Sequence, residues 1–219
     1  MRPLYQFLSR EARPKVFGLG LSKTGTSSLG AALEILGFHH AMYDRRLTKD
    51  YFAGRFDRID RVLWRNTAFE DWPYPAMFER LMQRYGTDAY YVLTVRKSPE
   101  TWLASLERHA LLSSPKNAKI RALCYGLDYP QQDASHFLER YNAHNRNVAD
   151  LAERLGLSSR FRVLCFENGD GWSELCGLLG LPLPDVPFPI RNRTADRVPN
   201  QRHVAANMSR IAALATEPQ

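Results

Sequence analysis

Cysteine is scarce. Three occur in 219 residues, Cys124, Cys165 and Cys176, an odd number in apolar surroundings. That argues against a disulfide framework and for reduced core thiols in a reducing compartment. No stretch approaches the roughly 20 apolar residues that a membrane-spanning helix needs. The opening segment MRPLYQFLSREARPK has no uninterrupted apolar region and no leader layout, so a cytoplasmic protein is the default expectation. The sequons at Asn192 and Asn207 are then chance matches. Repeats and low-complexity tracts are absent. His39 and His40 stand without a cysteine or carboxylate cluster in sequence, and as neighbours in a strand they face opposite ways, so no metal site is expected.

What is present is ordinary in bulk. Hydrophobic residues make up 44% and charged residues 24%, which suits one globular domain with a real core. The formal net charge is +7. That excess favours anionic partners, whether nucleotide, nucleic acid, acidic glycan or phospholipid, or serves solubility alone. No RNA- or DNA-binding motif accompanies it, so nucleic acid is not expected as a partner.

The informative stretch runs from Lys15 to Phe38, KVFGLGLSKTGTSSLGAALEILGF. Val16 to Gly20 reads as a strand buried on both faces. A loop of small and hydroxyl residues around Lys23 follows. Leu29, Leu33 and Leu36 then recur at helical spacing, so a helix is predicted from Thr26 or Ser27, ended by Gly37. Strand, glycine-hydroxyl loop and helix aim backbone N–H groups and the positive end of a helix dipole at one point, and Lys23 adds a full charge. The geometry calls for an anion. It is not a Walker A loop, because no reading frame gives G-K-[ST], and Lys23 occupies the third glycine position of a dinucleotide fingerprint.

Residues 22–29, Ser-Lys-Thr-Gly-Thr-Ser-Ser-Leu, resemble the 5′-phosphosulfate loop of the sulfotransferases that use 3′-phosphoadenosine 5′-phosphosulfate (PAPS), commonly written P-K-[ST]-G-[ST]-[ST]. The resemblance implies an α/β fold like that of the P-loop NTPases, with Lys23, Thr24, Gly25, Thr26, Ser27 and Ser28 around the donor's 5′ end. It also implies a second motif after a later parallel strand. Ala89 to Val95 supplies that strand, followed by Arg96-Lys97-Ser98-Pro99 and a helix over 100–112. The family's 3′-phosphate motif is R-[DN]-P-x-x-[x]₃-S, which places Arg96 and Ser105 in those roles. The proline here comes three residues after the arginine rather than two, which leaves Lys97 or Ser98 as substitutes for Ser105. A guanidinium and a hydroxyl on the next helix suit a phosphate monoester. The carboxy-terminal pattern Gly171-Trp172, a short helix, LGLP and Pro187-Phe188-Pro189 is also similar to the family's, and it ends in Arg191-Asn192-Arg193, of which Arg193 is a candidate for the 3′-phosphate.

Elsewhere the chain reads more plainly. Residues 38–43 suggest a second strand. The charged stretch 44–65 suggests solvated helices or an insertion that meets the acceptor. Glu70 and Asp71 sit in an apparent loop before Pro73, where the family often has an acidic residue. Either carboxylate could accept the acceptor's proton, Asp71 could instead brace the turn into a helix over 76–84, and His40 is a third candidate base. Residues 111–129 read as a flexible or lid-like connection within a second insertion, 111–133, that bears on acceptor choice; 134–155 read as a long helix, and 160–166 as a further strand. The expected molecule is a single α/β domain, with a core over about 15–193 and peripheral segments 1–14 and 194–219. Its parallel sheet has about four or five strands, with the ligand across their C-terminal ends. The expected activity is sulfuryl transfer from PAPS to a hydroxyl or amine of an unidentified acceptor, releasing 3′-phosphoadenosine 5′-phosphate (PAP), without a metal. A small ATP- and Mg²⁺-dependent kinase and a non-enzymatic nucleotide or polyanion-binding module are the competing readings. Acceptor and oligomeric state have no readable code.

Overall fold

The structure, a computed structural model, describes residues 14–191 and 198–216. Residues 1–13, where the sequence spacing of Leu4, Phe7 and Leu8 suggests a short amphipathic helix, lie outside the described residues, as do Arg193 and the Asn192 sequon. Five strands form one parallel sheet: β1 (Lys15–Gly18), β2 (His40–Ala41), β3 (Ala68–Phe69), β4 (Ala89–Thr94) and β5 (Phe161–Leu164), in the order β2-β3-β1-β4-β5. The chain winds from β1 to one side through β2 and β3, then crosses back to β4 and β5. β1 and β4 are neighbours on either side of that reversal, where open parallel sheets leave a crevice at the strands' C-terminal ends.

Alternation along the strands sorts the core into two layers. Val16, Ala68, Val92 and Leu164 face Leu29, Ala32 and Leu33 of α1 (Thr26–Ile35) and Leu175, Leu178 and Leu179 of α8 (Trp172–Leu179). Phe17, Phe69, Tyr91 and Leu93 face the opposite layer. That layer is built by α2 (Arg45–Phe52), α3 (Asp57–Arg65), α4 (Phe78–Tyr85) and α7 (Ala134–Arg154), through Leu47, Ile59, Leu63, Leu81, Val148 and Leu151. Both faces are covered, as a parallel sheet requires. Stacked Phe17 and Phe69, 5.0 Å between ring centroids, tie β1 to β3 on that side.

Two stretches differ from the sequence reading. Residues 66–73 contain an internal strand, β3, between β1 and β2. Only two residues long, it is too short for alternation to be legible, and its place is set by tertiary pairing. Residues 111–133 are not an open connection. They fold as a short 3₁₀ turn, helix α6 (Ala118–Tyr125) and a second 3₁₀ turn, with Gly126 in the left-handed conformation that stops α6. The tail forms α9 (Gln201–Thr216), which packs on α5 (Pro99–Leu112). Its Asn207 is fully buried and donates to the carbonyls of Ala110, Leu111 and Ser113 while accepting from Tyr129. That sequon serves packing. No helix among the described residues is long and apolar enough to cross a membrane.

Candidate active site

The loop between β1 and α1 is shaped by contacts that only its residues satisfy. A Cβ at Gly20 would overlap Thr94 and Thr24, so glycine is what lets the loop cross the end of β4. Thr24 is buried and its hydroxyl donates to the Leu21 carbonyl (2.7 Å) while pairing with the Thr94 hydroxyl (2.6 Å). Lys23 (φ 75°) and Gly25 (φ 102°) both adopt left-handed backbone, a combination that turns successive N–H groups to one side. Phe166 lies where a Gly25 side chain would be. Gly25 then caps α1 without a side-chain hydrogen bond, which leaves the helix's first N–H groups for a ligand.

The loop after β4 lies beside it. Arg96 Nη1 donates to the Lys23 carbonyl at 3.1 Å. Its Nε and Nη2 grip Glu167 at 2.8 and 2.7 Å, and the Lys97 N–H donates to the same carboxylate at 2.9 Å. This bidentate contact raises the Arg96 pKa and holds the Glu167 carboxyl below its usual range. Three of the five guanidinium N–H groups are thus committed, and two remain. The extra residue before Pro99 has a structural use: Ser98 is the N-cap of α5, its Oγ accepting from the Thr101 N–H at 3.2 Å, with proline in the first turn. Capping employs Ser98, while Ser105, two turns on, lines the cavity.

That cavity measures about 1410 Å³, beyond the roughly 300–1,000 Å³ of a single small-molecule site. Lys23, Thr24, Gly25, Thr26, Ser27, Ser28, Arg96, Ser105, His40, Glu70 and Asp71 all line it. The described residues therefore bring together the sequence-predicted site residues except Arg193 and the two substitutes for Ser105, Lys97 and Ser98. Sequence reasoning missed Ser22, Glu167, and Phe166 with Phe188, whose rings sit 5.0 Å apart beside the phosphate loop. Ser22 stood in the motif as the one departure from proline, a signal that could have been used. The carboxy-terminal strap closes over α1, where the Arg191 N–H donates to Ser28 Oγ at 3.0 Å.

Three ionisable groups cross the middle of the cavity. Asp71 leaves the end of β3 with a left-handed backbone (φ 61°). Its Oδ1 accepts from Ser22 Oγ at 2.6 Å and from the Trp72 N–H at 2.8 Å. Burial, then the neighbouring Glu70 charge, push its pKa up to about 6, against the pull of those two donors and of Lys23. Glu70 is buried, with Oε2 lacking a partner and Oε1 3.4 Å from His40 Nε2, an ion-pair contact too loose for a hydrogen bond. His40 Nδ1 meets Glu34 at 3.1 Å. Burial alone would lower the His40 pKa, but Glu70 and Glu34 outweigh it and the net direction is up.

Comparison with known proteins agrees with this geometry. The family description "Sulfotransferase domain" matches residues 15–197, and the chain belongs to that family. A protein of Aspergillus versicolor named "Ava biosynthesis cluster protein M" is 26% identical over 214 residues, covering 80% of this chain and 79% of that one. A crystal structure of a sulfotransferase from Alicyclobacillus acidocaldarius shares the fold, with a TM-score of 0.52 and 18% identity over 95% of this chain and 98% of that one.

Proposed function

We propose that this protein transfers the sulfuryl group of PAPS to an acceptor hydroxyl or amine and releases PAP. The observation that carries the reading is the meeting of two anion sites in one cavity: the Lys23 loop at the end of β1 and Arg96 at the end of β4, joined by the 3.1 Å hydrogen bond between them. A nucleotide with an anion at each end of its ribose phosphate suits such a pair.

In this reaction the acceptor oxygen or nitrogen attacks sulfur in line with the bridging oxygen of the phosphosulfate. The S–O bond breaks with its electron pair going to the 5′-phosphate of PAP. A loose displacement of this kind needs positioning and charge neutralisation. Lys23 and the N–H groups of Gly25, Thr26 and Ser27 supply that at the leaving phosphate. The two uncommitted N–H groups of Arg96, with Ser105, hold the 3′-phosphate. Glu167 fixes the Arg96 fork before the nucleotide arrives.

Of the three candidate bases, the geometry favours Asp71. One of its oxygens is anchored by Ser22 and Trp72, and a pKa near 6 leaves it ionised yet basic at neutral pH. Burial and then the Glu70 charge raise it, and His40 Nε2 stands 3.4 Å from Glu70 as an ion-pair neighbour. The test is calorimetric titration with PAP, followed by sulfuryl transfer from labelled PAPS across an acceptor panel, on wild type and Lys23→Ala. Stabilisation by ATP–Mg²⁺ and not by PAP, or undiminished transfer by Lys23→Ala, overturns the assignment.

A further inference from the structure

Helix α6 walls the cavity away from the phosphate loop. Asn117, Ile120, Arg121, Cys124 and Tyr125 recur at the spacing of one helix face and all line the cavity. Beyond Asn117 at its N-cap the stripe is apolar save for one cation at its centre. Arg121 is 5% exposed, in a position where arginine is seldom found without an acid. Its Nε donates to the Asp128 carbonyl at 2.6 Å, its Nη1 contacts Ser113 Oγ at 3.3 Å, and its plane lies over the Tyr129 ring at 4.8 Å. Nη2 is buried without a partner. A strut between α6 and the 113–129 turns explains the two hydrogen bonds but not the charge. Both acceptors are neutral; the Asp128 charge reaches Arg121 without offsetting its burial, and among the described residues no ion pair involves Arg121. A buried cation left in this way is destabilising until an anion meets it.

The nucleotide's 3′-phosphate is not that anion. Arg121 contacts Ser113, just past the C-terminus of α5, whereas Arg96 precedes its N-terminus. Fourteen helical residues separate the two ends, about 21 Å at 1.5 Å per residue. Asp71 is nearer, for its charge reaches Cys124, one turn along α6 from Arg121. We infer that the acceptor is an apolar hydroxylated molecule bearing an acidic group, with its hydroxyl at Asp71 and its anion received by Arg121. One to two helical turns, roughly 5–10 Å, would separate the two groups. A cationic acceptor would meet a like charge, and an uncharged polyol would leave both the apolar wall and the cation unmatched. This rests on the sulfuryl-transfer reading above.

The test uses three matched naphthols with PAPS: 6-hydroxy-2-naphthoate, its methyl ester, and the 6-hydroxy-2-aminomethyl analogue. For the wild type, kcat/KM for the acid should exceed that for the ester by about 10- to 100-fold, the range of a charge-assisted hydrogen bond, and exceed the amine by more. Arg121→Met should close the gap between acid and ester while PAP affinity stays within about twofold, and Arg121→Lys should keep part of it. The wild-type ratio needs no variant, so it stands even if Arg121→Met fails to fold. Loss of PAP binding would sink the sulfuryl-transfer reading instead. If PAP binds and no naphthol turns over, calorimetry of the acid on the PAP complex decides. An ester as good as the acid, a gap that survives Arg121→Met, or no binding of the acid to the PAP complex overturns the inference.

Discussion

The cavity has two halves made of different material. The half beside β1 and β4 is built from backbone: left-handed Lys23 and Gly25, the open first turn of α1, and an arginine locked by Glu167. The half beside α6 is built from side chains on an apolar helix face, with one buried cation. Backbone geometry ties a short run of residues to one shape, so that half carries a recognisable motif. Side-chain walls can be re-papered without moving the fold, so the other half carries none. In the proposed enzyme this divides binding of a fixed donor from choice of a variable acceptor.

The division predicts that the largest loss comes from the backbone-built half. Lys23→Ala should lower kcat by about a hundred- to a thousand-fold, the cost of removing one group aimed at developing charge, with the fold unchanged by circular dichroism. Residual rates within tenfold of wild type would move the chemistry away from the loop. The next effect lies on the boundary of the halves. Asp71→Asn should lower kcat about a hundredfold, the lower end expected for a general base, and leave PAP affinity within about twofold. Wild-type activity should fall as pH drops below about 6, the value to which Asp71 is raised, and this acid limb should vanish in the variant. Stability should move the other way. A carboxyl whose folded pKa lies above its unfolded value, about 3.9, binds its proton more tightly when folded. The advantage is complete at low pH and is lost as pH rises through about 6. Asp71→Asn should therefore melt higher than wild type at pH 8 and no higher at pH 4.

Legibility in the sequence followed the same boundary. β1, the Lys23 loop and α1 were readable because Gly18, Gly20, Lys23 and Gly25 have local reasons to be where they are, and α1, expected from Thr26 or Ser27, starts at Thr26. Arg96 was readable because it follows a strong β-branched and aromatic run. β3 was not, since its two residues are defined by their pairing with β1 and β2 and not by any local pattern. α6 was missed because Pro115, Lys116 and Lys119 at its start look like a loop, and its apolar face shows only once the cavity gives it something to face. The role of Glu167 was hidden for a related reason. It lies 71 residues from Arg96 in sequence, and nothing local distinguishes it from a surface glutamate. The choice among Asp71, Glu70 and His40 needed the contact with Ser22, 49 residues away.

A smaller effect sharpens the donor half. If Arg96 reads the 3′-phosphate with its two uncommitted N–H groups, Arg96→Met should weaken PAP about 10- to 100-fold, as loss of charge-assisted hydrogen bonds implies. Adenosine 5′-phosphate, which lacks that group, should bind both proteins alike. The ratio of the two affinities by calorimetry is the readout. A parallel drop for both nucleotides would mean that Arg96 only props up the loop through the Lys23 carbonyl.

The smallest expected effect falls on Ser22, where this chain has a hydroxyl in place of the family's usual proline. Ser22 joins the halves: its carbonyl accepts from Trp102 Nε1 at 3.0 Å, and its Oγ–H reaches the Asp71 carboxylate. The second bond favours the charged form of Asp71, so removing it should raise the pKa further. Ser22→Ala should shift the acid limb of the rate profile upward by about one pH unit, the scale of one lost hydrogen bond to a carboxylate. Turnover should fall severalfold at pH 6 and stay close to wild type at pH 8.5. PAP affinity should hold, because the carbonyl contact to Trp102 uses only backbone. Ser22→Thr keeps the donor and should keep the wild-type profile. A uniform loss across pH in Ser22→Ala would show that the serine supports packing of the loop and does not tune the base.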